Sequence, residues 1–222
     1  MTSYPYHLDI ESYVSSDYDV MCKSYTDSIC IIGFANCGEE YYNMVTKVTD
    51  MNKALNMFSG SESYNSTLMQ GMLEAYNAGC RDIYLYPLAP MDEFEISENR
   101  DTNWWDKIWG YYITALDILS NYDDIDVLIP YDVDIEKGDF VGLLADHCNN
   151  LEGAVLRLVY FNYNGDAEET FEGEDYHIIL VNGIGTFDFP ESLAANYSSG
   201  MAATFAGTIS RFETSVPPDN RT

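Results

Sequence analysis

Three histidines, five cysteines and an abundance of carboxylates are the side chains in this 222-residue sequence that could do chemistry. His147-Cys148 is the pair from which a nucleophile or a metal set would start, but adjacent residues rarely converge on one ion. His147 also continues the apolar stripe of its segment, which predicts a hydrogen-bonded core histidine. His177 falls at the start of an apolar run and His7 in a polar N-terminal stretch. Neither has a Ser or Cys in a nucleophile-elbow setting to go with it. No triad assembles, and no catalytic, cofactor-binding or metal-ligating residue is assigned.

Other constellations have a structural reading as well as a chemical one. Gly33-Phe34-Ala35-Asn36-Cys37-Gly38 follows a predicted strand, as a phosphate loop would. It lacks the third glycine of a dinucleotide fingerprint and the Lys-Ser/Thr of a Walker loop, and Glu39-Glu40 would repel phosphate. A structural turn is expected. Asp132, Asp134, Glu136 and Asp139 alternate like calcium ligands, yet the glycine comes one place late and Leu143 stands where a bidentate Glu belongs. This segment reads as a polar connection ending in a helix cap. Asp123, Asp124 and Asp126 read as a solvated charge run rather than a carboxylate pair for acid/base work. Helical spacing turns Trp105 and Trp109 inward and leaves Trp104 off the stripe, which favours core packing over a binding platform.

Charge is the outlying property of the composition. Asp and Glu outnumber Lys and Arg 37 to 10, for a formal net charge of -27. Such a field repels phosphate backbones, so no direct nucleic-acid partner and no anionic membrane surface is expected. Cys22, Cys30, Cys37, Cys80 and Cys148 form no C-x-x-C pair, which favours a reducing compartment, with Cys30, Cys80 and Cys148 as small core hydrophobes. No apolar run approaches a membrane span and the N-terminus has no signal-peptide core, so a soluble protein outside the general secretory route is expected.

The elements that must position these residues alternate between strand and helix. Residues 1–27 read as an extended arm, and Ser28 to Phe34 as a buried strand. Asn43 to Val48 reads as an edge strand, and Asp50 to Phe58 as a short helix closed by Gly60. Asn65 is placed to cap a helix carrying Leu68, Met72, Ala75 and Tyr76, with Gly79 at its C′ position. Further strands are expected at Asp82 to Pro87, Asp126 to Ile129 before Pro130, Ala154 to Phe161 and Tyr176 to Val181. Helices are expected from Asn103 to Asn121, after Asp139, and from Ser198 or Ser199 onward. Asn162 to Asp175 reads as a solvated loop or hairpin. This order predicts an α/β domain with a mixed, largely parallel sheet flanked by helices in two or three layers, spanning residues 28–222, with the extended N-terminal arm outside it.

Several short landmarks recur in one order: Ile32 to Gly38, Val48-Thr49-Asp50, Phe58-Ser59-Gly60, Ala75 to Cys80 before Ile83 to Pro87, Val127 to Pro130, His147-Cys148, Ser199 to Ala203, and Pro217 to Asn220. In this order they resemble the core of the tail sheath proteins of contractile bacteriophages and related injection machines. Each motif is short and degenerate, and the resemblance rests on their joint order over about residues 28 to 220. Sheath proteins usually continue into a C-terminal domain with Gly-Ile-Asn and Trp-Gly-x-Arg-Thr regions, for which nothing here corresponds.

The resemblance implies a structural subunit, not an enzyme, with no cofactor. It implies a homo-oligomer, in rings or a helical array, around a tail tube protein, with baseplate or neck proteins as further partners. Such a subunit would sit in the virion tail after assembly in the host cytoplasm. It would act as a main sheath, one piece of a split sheath or a specialised ring, and the arm would add a strand to a neighbour. Contraction would release energy stored in subunit contacts and drive the tube through the host envelope. Two other classes fit the composition. One is a small cytosolic α/β enzyme or ligand-binding domain using the carboxyl ends of its strands, and the other is an acidic adaptor for a basic partner.

Overall fold

The computed structural model describes residues 28–58, 66–91, 102–131, 133, 139–151, 156–163, 177–182, 184–186 and 198–215. The expected arm at 1–27, the Gly60 stop, the Asn65 cap, most of the Asp132 to Gly138 connection, the acidic stretch from Asn164 to Asp175 and the Pro217 to Asn220 segment lie outside them.

The central sheet is built on β1 (Ile29–Gly33), whose five residues are all buried. A continuous apolar run of this length has no polar face to offer water, so it must be covered on both sides. β1 lies between β3 (Ile83–Pro87) and β4 (Val127–Pro130), parallel to both, with Ile31 opposite Leu85 on one side and Ile129 on the other. β5 (Leu158–Tyr163) and β6 (Ile178–Asn182) continue the parallel set beyond β4. The two-residue β2 (Thr46–Lys47) pairs antiparallel with β3 and forms the other edge, giving the order β2-β3-β1-β4-β5-β6. The expected α/β class and the mixed, largely parallel sheet are both present.

Side chains alternate between two cores, as the twofold period of a strand requires. Cys30, Ile32, Tyr84, Tyr86, Leu128, Val159 and Phe161 face α3 (Thr102–Leu119) and α4 (Phe140–Asn149). Ile29, Ile31, Ile83, Leu85, Val127, Ile129 and Tyr160 face α1 (Met51–Phe58), α2 (Thr67–Ala78) and α5 (Ala202–Ser215). The result is a three-layer sandwich.

Local chemistry sets most of the helix ends. Ser66 caps α2 by accepting a hydrogen bond from the Met69 amide, one residue later than Asn65. Gly79 ends α2 at φ 121°, a conformation that glycine adopts without strain. Asp139 caps α4 through the Gly142 amide, as expected. The last helix departs from expectation. Ser198–Gly200 form β8, paired antiparallel with β7 (Ile184–Thr186), and α5 begins only at Ala202. The first amide of α5 donates to Asn162 Oδ1 on β5, so a side chain 40 residues away replaces the local serine cap.

α5 crosses α2 at close range. A Cβ on Gly207 would lie 2.5 Å from the Ala75 carbonyl oxygen and 2.8 Å from Ala78 Cβ. Gly207→Ala is therefore expected to lower stability by about 2 kcal/mol, overpacking outweighing the gain in helix propensity. Gly110→Ala, in a helix position with nothing within 4 Å, should instead raise stability by about 0.5–1 kcal/mol. Urea unfolding of the two variants checks the opposite signs.

Candidate functional site

In a doubly wound sheet a ligand sits outside the carboxyl ends of the strands, where the order of connections reverses. Here that point lies between β1 and β4, because the chain passes from β1 to β3 on one side and then back across β1 to β4. The chain itself fills the crevice. Phe34 donates its amide to Thr67 Oγ1 at 3.0 Å, and its carbonyl accepts the Leu68 amide at 3.2 Å, so the first turn of α2 is spent on the end of β1. A Cβ on Gly33 would come within 3.0 Å of the Leu68 nitrogen, which explains the glycine at this approach. From the β4 side, the Tyr131 amide donates to the Ile32 carbonyl, and its hydroxyl donates to Glu74 Oε2 at 2.7 Å. Glu74 is fully buried, and its second oxygen accepts from Gln70 Nε2. The Tyr112 hydroxyl donates to the Tyr131 carbonyl and closes the crevice from the α3 side.

Two of the amides that would hold a phosphate, those of Ala35 and Cys37, are engaged in the same way. Ala35 donates to the Ala89 carbonyl and Cys37 to the Tyr42 hydroxyl, while Asn36 Oδ1 accepts from the Met91 amide. Glu39 and Glu40 follow in an exposed 3-10 turn. These contacts pin the Gly33 to Gly38 segment to the Ala89 to Met91 stretch and to Tyr42.

His147 lies in the last turn of α4, half-buried, with Nε2 2.8 Å from Arg157 Nη1. Arginine can only donate, so Nε2 is the acceptor and the proton of the neutral ring sits on Nδ1. Burial, with the guanidinium beside it, brings the His147 pKa down from 6.5 to about 4. Arg157 is fully buried and donates to the carbonyls of Leu119, Tyr122 and Ile125, at and just beyond the end of α3. Burial lowers the pKa of this guanidinium, and the carbonyl oxygens of the α3 terminus supply its negative counterpart. His147 and Arg157 thus tie α3, α4 and β5 together. Cys148, the neighbour of His147, is buried in the core. Cys30 and Cys80 are also buried, and burial pushes the Cys30 thiol up to about 12 and the half-buried Cys37 thiol to about 11. Thiols so shifted carry almost no thiolate at neutral pH.

The remaining candidates are placed apart from these. His177 is buried just ahead of β6, and its carbonyl accepts the Val159 amide. Asp126 accepts from both the amide and the hydroxyl of Ser28, and Asp124 accepts from the Tyr84 hydroxyl, so two members of the expected solvated run instead tie strand beginnings together. Lys47 joins them through Tyr84 and through an ion pair of 2.6 Å to Asp82. Asp123 is exposed. Among the described residues no group of three or more His, Cys, Asp or Glu is arranged to hold a metal ion. His7 and Cys22 lie outside the described residues.

Trp104 corrects the sequence reading. It is buried with Trp105, the two rings meeting edge-on at 4.6 Å, while Trp109 is the half-buried one and packs on Phe140. The stripe of α3 is wider at its start than helical spacing alone indicates.

The class defined by this geometry is a three-layer α/β packing domain whose ligand crevice is closed by its own side chains. No family model matches the sequence, and no curated protein matches it. Solved structures do match. The helical sheath of the anti-feeding prophage in its contracted state aligns over 97% of this chain at 16% identity and a TM-score of 0.57. Its six-fold symmetrised baseplate aligns over 97% at 16% identity and 0.59, and its baseplate in the contracted state over 93% at 13% identity and 0.63. The chain spans about half the length of these structures, 54%, 54% and 55%. At this identity the likeness shows a sheath-like fold. Among the described residues no helix is long and apolar enough to cross a membrane.

Proposed function

We propose that this chain is a structural subunit of a contractile tail-like sheath, or of a sheath-like ring at its neck or baseplate. The observation that carries this reading is the alignment of nearly the whole chain with sheath and baseplate assemblies, over a fold found independently from the order of its sequence landmarks. The closed crevice at the β1/β4 switch point supports it, because an enzyme or ligand-binding domain of this topology would keep that space open.

In this reading copies of the chain associate in rings or a helical array around a tail tube, and rearrange between two packings to drive the tube through the host envelope. The energy resides in subunit contacts, with no nucleotide and no cofactor. Residues 1–27 serve as an arm that adds a strand to a neighbour, and residues 28–222 as the sheath-like core. The particle is assembled in the host cytoplasm, and the subunit resides in its tail. Exposed carboxylates make assembly depend on ionic strength, because charges further apart than about 8–10 Å are screened at physiological salt.

Negative-stain microscopy and sedimentation of the purified chain, alone and with the tail tube of its own particle across a salt series, test the proposal. Rings, sleeves or decorated tubes are expected. A monomer that never decorates the tube at any salt concentration would overturn it.

A further inference from the structure

α3 and α4 leave an open groove of about 270 Å³ between them. Ile113, Leu116 and Asp117 line it from α3 with Ser120 just past its end, and Leu143, Asp146 and His147 from α4 with Asn150 at its C-cap, and Leu151 follows. Both sets fall at i, i+3, i+4 and i+7, so each helix presents one continuous face about 10 Å long to the groove. The floor is apolar, and Ile113 is 49% exposed, one of the few large apolar side chains of the described residues left so open to water. The rim carries one carboxylate from each helix. Asp117 and Asp146 are exposed, and only their backbone carbonyls are engaged, by Ser120, Asn121 and Asn150. Neither side chain has an ion-pair or hydrogen-bond partner among the described residues.

We infer that this groove is the docking site for a basic amphipathic helix of a partner protein. Its apolar side chains would seat over Ile113 and Leu143, and its Lys or Arg residues would reach Asp117 and Asp146. The groove is too small and too open to enclose a metabolite, but it suits two turns of helix laid along it. Charge selects the occupant. This face laid against its own counterpart on a second copy would bring Asp117 and Asp146 against like charges, with no cation among the lining residues to pair with them. The chain's own longer stretches outside the described residues are acidic too, with Asp166, Glu168, Glu169, Glu172, Glu174 and Asp175 in one of them. A foreign, positively charged segment is what remains, drawn in by the field and held by the apolar floor. The inference goes beyond the sheath reading and does not require it, since a peptide on the single chain is tested without any lattice.

The probe is a fluorescein-labelled 16-residue Ala-based helix with leucines at i, i+4 and i+7 flanked by lysines, titrated against the full chain and read by anisotropy. Its controls are the same composition with the leucines spread around the helix, and a Glu-for-Lys version. Binding by the amphipathic basic probe alone is expected, weakened about tenfold by Asp117→Asn with Asp146→Asn and about tenfold by Ile113→Ser. Glu39→Gln with Glu40→Gln, the same charge change on a distant exposed turn, should alter it less than twofold. Amide shift changes on the unmodified chain should cluster on α3 and α4, which needs no variant. Equal binding of the spread-leucine probe, equal loss in the distant charge pair, shifts elsewhere or no binding at all would each overturn the inference. A dimer broken by Ile113→Ser and tightened by the double Asn change would also overturn it, in favour of a second copy.

Discussion

Arg157→Leu is expected to cost about 4 kcal/mol or more of folding stability, among the largest single effects this chain can show. The side chain is fully buried, and its guanidinium serves the carbonyls of Leu119, Tyr122 and Ile125 together with His147 Nε2. Replacing both partners of a buried polar pair by apolar groups can be neutral, but here all four acceptors stay behind. Each buried acceptor left without a donor costs about 1–3 kcal/mol, and only part of that is recovered by leucine packing. Arg157→Lys is the informative companion. It keeps the charge but has one nitrogen where Arg has a planar fork, so it cannot reach acceptors spread over the end of α3 and the turn after it. A loss of about 2 kcal/mol is expected. Urea unfolding followed by tryptophan fluorescence measures both, since Trp104, Trp105 and Trp109 all lie on the α3 layer tied down by Arg157. A loss under 1 kcal/mol for the leucine variant would mean that the α3 terminus finds water or other donors.

Residues whose structural cause is local were legible in the sequence, and those whose cause is distant were not. The Ile-rich run of β1, the Pro130 stop, the Asp139 cap and the Gly79 terminus each follow from a few neighbouring residues, and each is present. Arg157 gave no such sign, because a single arginine before an apolar run reads as surface, and its acceptors lie 10 to 38 positions away. The one available hint was a basic residue entering a buried strand in a chain with few cations. Glu74 was missed for a similar reason. On α2 alone it looks like a solvent-facing residue, and it is buried because Tyr131 and α5 cover that helix from outside its own sequence. β7 and β8 are three residues each and contain glycine, too short for a twofold period to register. The start of α5 was misplaced because Asn162, not Ser198 or Ser199, satisfies its first amide.

The pH dependence of stability follows from the same Arg157 contact. His147 titrates near 6.5 in the unfolded chain and at about 4 in the folded one, because burial and the adjacent guanidinium oppose its protonation. Between those values the unfolded state binds the proton and the folded state does not, so stability falls as pH drops from about 6.5 to about 4. Above 6.5 the ring is neutral in both states, and below 4 it is protonated in both, so the loss is confined to that window. At about 1.4 kcal/mol per pH unit the loss approaches about 3 kcal/mol. The raw curve mixes this with other groups. Arg157 faces the ring from the start of β5, and Asp117 of α3 and Asp146 of α4 line the same groove. Protonating carboxylates on a chain of charge -27 also relieves self-repulsion, which acts in the opposite direction. His147→Gln separates the contributions, because its amide oxygen can accept from Arg157 and does not titrate. Urea unfolding at pH 7.5 should find the two proteins within about 1 kcal/mol of each other. By pH 4 the variant should be the more stable by about 2–3 kcal/mol relative to that starting difference. Parallel curves across the window would mean that His147 leaves Arg157, turns out to solvent and takes its proton at no net cost to the folded state.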